Sequence, residues 1–144
     1  MPKRGDMMPQ SCKERVQDEL NDRLTDIRKL WRSHLKNPDA YDPDMGSVYE
    51  YGLCFDYLAK GTFGDQRRGY FRWQLSWGGP SDEFRFYTDE CLDPVEIEYW
   101  FLDWFDGAKL FLQERDYDLL EEIFQYFKEA GVVEAERNKA ICDC

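Results

Sequence analysis

The chain has 144 residues, of which 42% are hydrophobic and 17% aromatic, and its formal net charge is −11 at pH 7. The aromatic content excludes an intrinsically disordered chain, and the length predicts one domain with a sizeable core. No apolar run approaches the roughly 20 residues that cross a bilayer, so we expect no membrane-spanning segment.

The charge is unevenly distributed along the chain. Residues 1–36 contain nine Lys or Arg and six Asp or Glu, whereas residues 37–144 contain ten and twenty-four. A field of this sign repels nucleic acid and anionic membranes and attracts basic surfaces. We therefore expect no direct contact with nucleic acid or membrane and a protein partner with a basic surface, the alternative being that the charge serves solubility only.

Cysteine usage indicates a reducing compartment. The five cysteines are an odd number, form no CxxC pair and follow no secretory signal, so we expect reduced thiols and a cytoplasmic location. Cys142-x-Cys144 supplies only half of a tetrahedral metal site. We expect no metal and no cofactor. The cysteines are Cys12, Cys54, Cys91, Cys142 and Cys144.

The first predicted element is a long amphipathic helix. Residues 1–10 lack periodicity and are expected to form a flexible arm. Ser11 and Glu14 have the spacing of a capping box, and Asn37-Pro38 is expected to end the helix. In between, apolar residues recur every three or four positions, at Val16, Leu20, Leu24, Ile27, Trp31 and Leu35.

From residue 49 the hydrophobic pattern changes to a period of two, which is typical of β-strands. The predicted strands lie in VYEYGLCFDYL, GYFRWQLSW, EFRFYT and VEIEYWFLDWF, with AKLFLQ as an optional fifth. The GGPSD segment predicts a hairpin, and Asp106-Gly107 is a second turn signal. The fourth segment is apolar on both faces, which is typical of a strand covered on both sides or facing a partner. The alternation predicts that Trp77 faces the same way as Phe71, Trp73 and Leu75. The residues expected in the core under the two helices are Phe71, Trp73, Leu75, Phe84 and Phe86.

A second helix is predicted near the C-terminus. Asp116 or Asp118 is expected to cap it and Gly131 to end it, and residues 134–144 are expected to form a polar tail. The predicted domain spans residues 11–133. Its fold class is α+β, with an antiparallel four- to five-stranded sheet flanked by an N-terminal and a C-terminal helix. The apolar face of the second helix comprises Leu119, Leu120, Ile123, Phe124, Phe127 and Ala130.

Few residues point to catalysis. The sequence has no nucleophile elbow, phosphate-binding glycine motif or metal-ligand spacing, and its one histidine, His34, is expected to cap helix carbonyls. The carboxylates of Glu96, Glu98, Asp103 and Asp106 leave a small hydrolase as an alternative. We predict that the protein is not an enzyme.

An acidic binding surface is the stronger hypothesis. Carboxylates along a sheet edge can pair with Arg and Lys side chains of a partner, and nearby aromatic side chains add affinity. For the two tryptophans, burial in the core is the alternative. The predicted partner-binding residues are Asp82, Glu83, Asp89, Glu90, Glu96, Glu98, Trp100, Asp103, Trp104 and Asp106.

Three segments, EYGLCFDY, YFRWQLSWGGPSDEFRFY and IEYWFLDWFDGA, resemble a family of small uncharacterised proteins of bacterial genomes, plasmids and phages. They cover somewhat more than a third of the chain. The resemblance implies a bacterial or mobile-element origin, and in that setting small acidic proteins often look like anti-CRISPR or antirestriction inhibitors. It implies no catalytic residue.

These observations predict a non-enzymatic protein that inhibits a nucleic-acid-handling defence complex, such as a nuclease or CRISPR effector, by protein contact. A self-associating module, such as a homodimer, is the main alternative.

Overall fold

The computed structural model describes residues 11–142, so the predicted arm at residues 1–10 lies outside the described residues. Three helices and five strands follow one another with a short 3-10 helix at Tyr49–Tyr51. The helices are α1 (Cys12–Lys36), α2 (Glu114–Glu129) and α3 (Val132–Cys142). The strands are β1 (Cys54–Leu58), β2 (Tyr70–Ser76), β3 (Ser81–Thr88), β4 (Pro94–Asp103) and β5 (Asp106–Phe111).

The five strands form one antiparallel sheet in sequence order, β1-β2-β3-β4-β5. Short connections join β2 to β3 and β4 to β5. Because consecutive strands are antiparallel, these two turns lie at the same end of the sheet. The β3–β4 turn lies at the opposite end. The predicted α+β class with an antiparallel sheet and flanking helices is confirmed.

Helix α1 begins where the sequence predicts. The side chain of Ser11 accepts a hydrogen bond from the backbone of Glu14, and the Glu14 side chain accepts one from the backbone of Ser11. The predicted apolar stripe is buried except at its last member, since Leu35 is exposed in the final turn. Leu30, which the predicted stripe omits, is buried.

One face of the sheet forms the core with the helices. Phe71, Phe86 and Ile97 lie side by side across β2, β3 and β4, and Phe124 of α2 packs on the first two. Phe71, Trp73, Leu75, Phe84 and Phe86 are all buried, as predicted. Aromatic residues dominate this layer because large rings fill the space between sheet and helix and pair edge to face.

The opposite face of the sheet, here called the polar face, carries the alternate side chains. Its polar and aromatic members include Asp56, Tyr70, Arg72, Gln74, Glu83, Arg85, Tyr87, Glu98, Trp100 and Lys109. Ion pairs and cation–π contacts link neighbouring side chains on it. Arg72 donates two hydrogen bonds to Asp56 of the adjacent strand, at 3.1 and 2.8 Å.

Residues 134–142 of the predicted polar tail belong to helix α3. This helix packs against β1 and α2, and Val133 is fully buried. Gly131, with φ +84°, ends the preceding helix as predicted and lets the chain reverse into α3. The tail prediction missed α3 because the segment has few apolar residues and a weak helical stripe.

Two strand boundaries differ from prediction. The first strand begins at Cys54, and Tyr49–Tyr51 is a 3-10 helix because the Tyr51 hydroxyl is hydrogen-bonded to Arg23 and Asp26 of α1. The β4–β5 turn is at residues 104–105, since Asp106-Gly107 already belongs to β5.

Two further differences concern Trp77 and the start of helix α2. The alternation predicts Trp77 on the same face as Trp73, but the register shifts between Gln74 and Ser76, and Trp77 lies beyond the end of β2 in solvent. Helix α2 begins before the predicted cap, with Gln113 at the N-cap position. Asp116 instead pairs with Arg28 of α1.

Candidate protein-binding surface

Three large aromatic side chains are exposed on the two turns that share one end of the sheet. Trp77 in the β2–β3 turn is 77% exposed, and Trp104 and Phe105 in the β4–β5 turn are 87% and 104% exposed. We call these three residues the aromatic end. Single exposed hydrophobic residues are ordinary, but a cluster of large ones is typical of an interaction site.

The two turns are in contact. A β-carbon at Gly79 would lie 3.4 Å from Nε1 of Trp104 and 3.6 Å from Oδ1 of Asp103. The β2–β3 turn therefore lies against the side of the Trp104 ring. This contact joins the two turns into one surface.

The backbone of Trp104 adopts an unusual conformation. Asp103 pairs with Asp106, which leaves Trp104 and Phe105 as a two-residue turn, and Trp104 has a φ of 55°. This left-handed region disfavours a bulky side chain and usually holds Gly, Asn or Asp. A tryptophan here adds little to the core, and strained residues of this kind cluster at functional sites.

Asp106 fixes the aromatic end to helix α1. Its Oδ2 accepts a 2.7 Å hydrogen bond from the backbone N–H of Cys12, and its Oδ1 accepts one from Gly107. The bond from Cys12 is the main reason that the pKa of Asp106 is lowered. Asp103, on the other side of the turn, forms a 3.5 Å ion pair with Arg15. Both predicted carboxylates therefore border the exposed rings and also anchor the turn.

Asp82, by contrast, lies in the core. It is 2% exposed and accepts hydrogen bonds from Arg23 at 2.7 and 2.9 Å, from Tyr99 at 2.6 Å, and from Ser76. Burial opposes the charge of Arg23, but its bonds to Asp82 and Tyr51 outweigh burial and raise its pKa. Burial, followed by the bond to Asp82, raises the pKa of Tyr99. Asp82 is thus a structural link between the sheet and α1.

Glu83 and Glu98 lie buried on the polar face beneath neighbouring side chains. Glu83 pairs with Arg85 at 2.7 Å, and Glu98 accepts hydrogen bonds from Trp100 at 2.8 Å and Lys109 at 3.0 Å. Burial opposes ionisation of Glu98, but these bonds outweigh it and lower its pKa.

Trp100 is half-buried on the same face. Its ring lies against the guanidinium of Arg85 at 4.0 Å and the ammonium of Lys109 at 5.3 Å. It therefore packs between two cations and is only partly available to a partner.

The remaining predicted residues lie toward the other end of the sheet. Asp89 accepts hydrogen bonds from the backbone of Cys91 and Asp93 within the β3–β4 turn, and Glu90 is exposed beside it. Glu96 forms a 3.1 Å ion pair with Arg68. Of the ten predicted residues, only Asp103, Trp104 and Asp106 come together at the aromatic end.

Sequence reasoning missed Trp77 and Phe105 as surface residues. The signal that indicates them is their position beside turn-forming residues, since Trp77 precedes Gly-Gly-Pro and Phe105 lies between Trp104 and Asp106-Gly107. Turn-forming residues end a strand, so a large ring beside them is a candidate for exposure at the turn.

His34 packs with aromatic rings. Its ring stacks on Trp31 with centroids 5.0 Å apart and contacts Tyr126 at 4.4 Å. These contacts give it a packing role at the junction of α1 and α2, rather than the predicted capping of carbonyls.

Comparison with protein-family models, curated proteins and solved structures gives no match. Among residues 11–142, no group of three or more His, Cys, Asp or Glu side chains is placed to hold a metal ion. No helix in this same range is both long and apolar enough to cross a membrane.

Proposed function

We propose that this acidic protein acts by binding another protein through its aromatic end. The observation that carries the proposal is the exposure of Trp77, Trp104 and Phe105 on two touching turns. Buried tryptophan and other large rings supply most of the affinity at protein interfaces, and a rigid turn presents them at low entropic cost.

The carboxylates at the aromatic end supply the second part of the interaction. Asp103 and Asp106 flank the exposed rings, and the exposed Glu14 lies in the first turn of the helix that Asp106 anchors. With a net charge of −11, the chain attracts a basic partner over distance, which raises the association rate. We propose that the partner is a nucleic-acid-handling complex, such as a nuclease or CRISPR effector, whose basic surface normally contacts phosphates.

The lowered pKa values of two candidate carboxylates do not suit them to act as a general acid. In a glycosidase-type carboxylate pair, the general acid has a raised pKa so that it stays protonated. Asp106 and Glu98, two of the candidate carboxylates, have lowered values instead.

The test is an affinity capture from bacterial lysate with tagged protein as bait. Three baits are compared, namely the wild type, a W77S/W104S/F105S variant, and a control variant L35S/Y41S. The control removes two other exposed hydrophobic side chains, which lie on α1 and in the loop after it. Each bait is washed at low salt and at about 1 M salt, where the Debye length falls to about 3 Å.

The proposal predicts a protein held by the wild type and the control, lost with the triple variant and weakened at high salt. If that protein is a nuclease or CRISPR subunit, the defence-complex proposal is supported. Equal capture by all three baits would overturn binding through the aromatic end. A doubled mass of the free wild type by light scattering, reverting in the triple variant, would favour self-association through the same rings.

A further inference from the structure

A second candidate site lies on the polar face, remote from the aromatic end. A cavity of about 390 Å³ opens between the β1–β2 loop and strands β2 and β3. Its volume falls within the range of small-molecule sites, roughly 300–1,000 Å³. We call it the arginine pocket, and its main lining residues are Phe63, Arg67, Arg68, Tyr70, Arg85 and Tyr87.

The arginine pocket presents guanidinium groups although the protein is acidic. Three guanidinium groups line it, and Asp65 is the one carboxylate among its lining residues. Two of the arginines are neutralised from outside the cavity, Arg68 by Glu96 at 3.1 Å and Arg85 by Glu83 at 2.7 Å. Arg67 makes no hydrogen bond or ion pair with any residue in the range 11–142.

Hydrogen-bond donors remain free on the two paired arginines. Arg68 uses only Nη2 for Glu96, and Arg85 uses only Nε for Glu83. A guanidinium carries five N–H donors in a planar fork that matches the oxygens of phosphate and carboxylate. Within the described residues, the other donors of both side chains have no hydrogen-bond partner.

The walls of the pocket are held in place before any ligand arrives. Gln66 closes the loop by donating hydrogen bonds to the carbonyls of Leu58 and Arg68 and accepting one from the backbone of Phe63. The Arg68 guanidinium lies 3.9 Å from the centre of the Tyr87 ring. Such preorganisation lowers the entropic cost of binding.

Tyr70 gives a further sign of a polar ligand. The residue is 3% exposed and lines the pocket, with its ring 4.8 Å below the Arg85 guanidinium. Its hydroxyl makes no hydrogen bond to the rest of the described chain and is not itself a buried atom, so it can take a hydrogen-bond partner from outside the chain. A ligand oxygen in the pocket would supply one.

We propose that the arginine pocket binds a phosphomonoester carried on a compact organic group. Arg67 and Arg68 hold the phosphate, Arg85 and the Tyr70 hydroxyl complete its hydrogen bonds, and the exposed ring of Phe63 contacts the organic group. The free N–H donors of three guanidinium groups match the three terminal oxygens of a phosphomonoester better than the two oxygens of a carboxylate. This site is independent of the aromatic end and does not rest on the proposed function.

The test is a titration of the full chain with phenyl phosphate, followed by backbone amide NMR, with benzoate as the carboxylate probe. The variants are R67Q and, as a matched control, R115Q. Arg115 is an exposed arginine on α2 that makes no hydrogen bond or ion pair with residues 11–142. Both substitutions change exposed side chains, and an unchanged thermal midpoint verifies the fold.

Phenyl phosphate is expected to shift the amides of residues 63–70 and 85–87. It should bind more tightly than benzoate, and R67Q should weaken it about tenfold or more while R115Q leaves it unchanged. No shift at these amides, equal affinity for benzoate, or equal weakening by both variants would overturn the proposal.

Discussion

The carboxylate of Asp106 accepts a hydrogen bond from the backbone N–H of Cys12, which is 94 positions earlier in the chain. This contact ties the β4–β5 turn to the first residue of α1. A carboxylate at a helix N-terminus satisfies an orphan N–H and interacts favourably with the helix dipole. The exposed rings of Trp104 and Phe105 are thus presented on a fixed support.

This contact predicts an acid-sensitive contribution to stability. The folded pKa of Asp106 is lowered, chiefly by the bond from Cys12, below the unfolded value of about 3.9. Its stabilising effect is therefore fully present above that unfolded value and is lost as the pH falls through the folded pKa. Between about pH 5 and pH 3, urea denaturation should show a steeper loss of stability in the wild type than in D106N.

The control for D106N is D22N. Asp22 is exposed on α1 and makes no hydrogen bond or ion pair with residues 11–142. The D22N variant should follow the wild-type pH profile. Identical profiles for D106N and the wild type would show that the Asp106–Cys12 bond does not stabilise the fold.

Trp73 is buried and Trp104 is exposed, so we expect their replacement by alanine to change stability by very different amounts. Trp73 is 1% exposed and packs edge-on against Phe127, so W73A should cost about 3–5 kcal/mol through the cavity it leaves. Trp104 is exposed, so W104A should change stability by no more than about 0.5 kcal/mol. Urea unfolding of both variants measures this, and a large loss in W104A would place the ring in the core rather than at a binding surface.

Because the carboxylate of Asp82 is buried, we expect replacement of Asp82 by Asn to cause a large loss of stability. D82N leaves the Arg23 guanidinium without its charged partner in a mostly buried setting, which should cost about 3–5 kcal/mol. The comparison is D56N, which breaks the more exposed pair with Arg72 and should cost at most about 1 kcal/mol. A loss of about 1 kcal/mol or less in D82N would show that the Asp82–Arg23 pair acts as an ordinary surface ion pair.

Because helix α3 packs on the rest of the fold, we expect the C-terminal segment to contribute to stability. Val133 is fully buried, and V133A removes two carbon atoms, at about 0.8 kcal/mol each before any cavity effect. The neighbouring exposed position provides the control, since E134A should change stability by less than about 0.5 kcal/mol. Equal stability of V133A and the wild type would mean that α3 is not docked in solution.

The sequence predicts the elements with strong periodicity and misses those decided by tertiary contacts. Helix α1 carries seven turns of stripe and a capping box, so its limits are readable. Trp77 lies at the end of a well-alternating strand, but the register shift after Gln74 is not encoded in the hydrophobic pattern. Asp82 resembles any other acidic residue in the sequence, because only the fold brings Arg23 and Tyr99 to it.

The candidate protein-binding surface also contains residues that the sequence predicts and residues that only the fold brings together. The sequence predicts Trp104, Asp103 and Asp106 as surface residues, because they lie within a few positions of the Asp106-Gly107 turn signal. The contact between the β4–β5 turn and the β2–β3 turn depends on the order of the strands in the sheet. The sequence pattern therefore does not predict that Trp77 lies near Trp104. The arginine pocket likewise draws its residues from a loop and two strands.

The most direct test of the central claim is hydroxyl-radical footprinting of the chain, free and bound to a captured partner. Binding through the aromatic end predicts that oxidation of Trp77, Trp104 and Phe105 falls in the complex, while that of the exposed Tyr41 stays unchanged. Unchanged oxidation of all three rings, with protection at another surface, would contradict it.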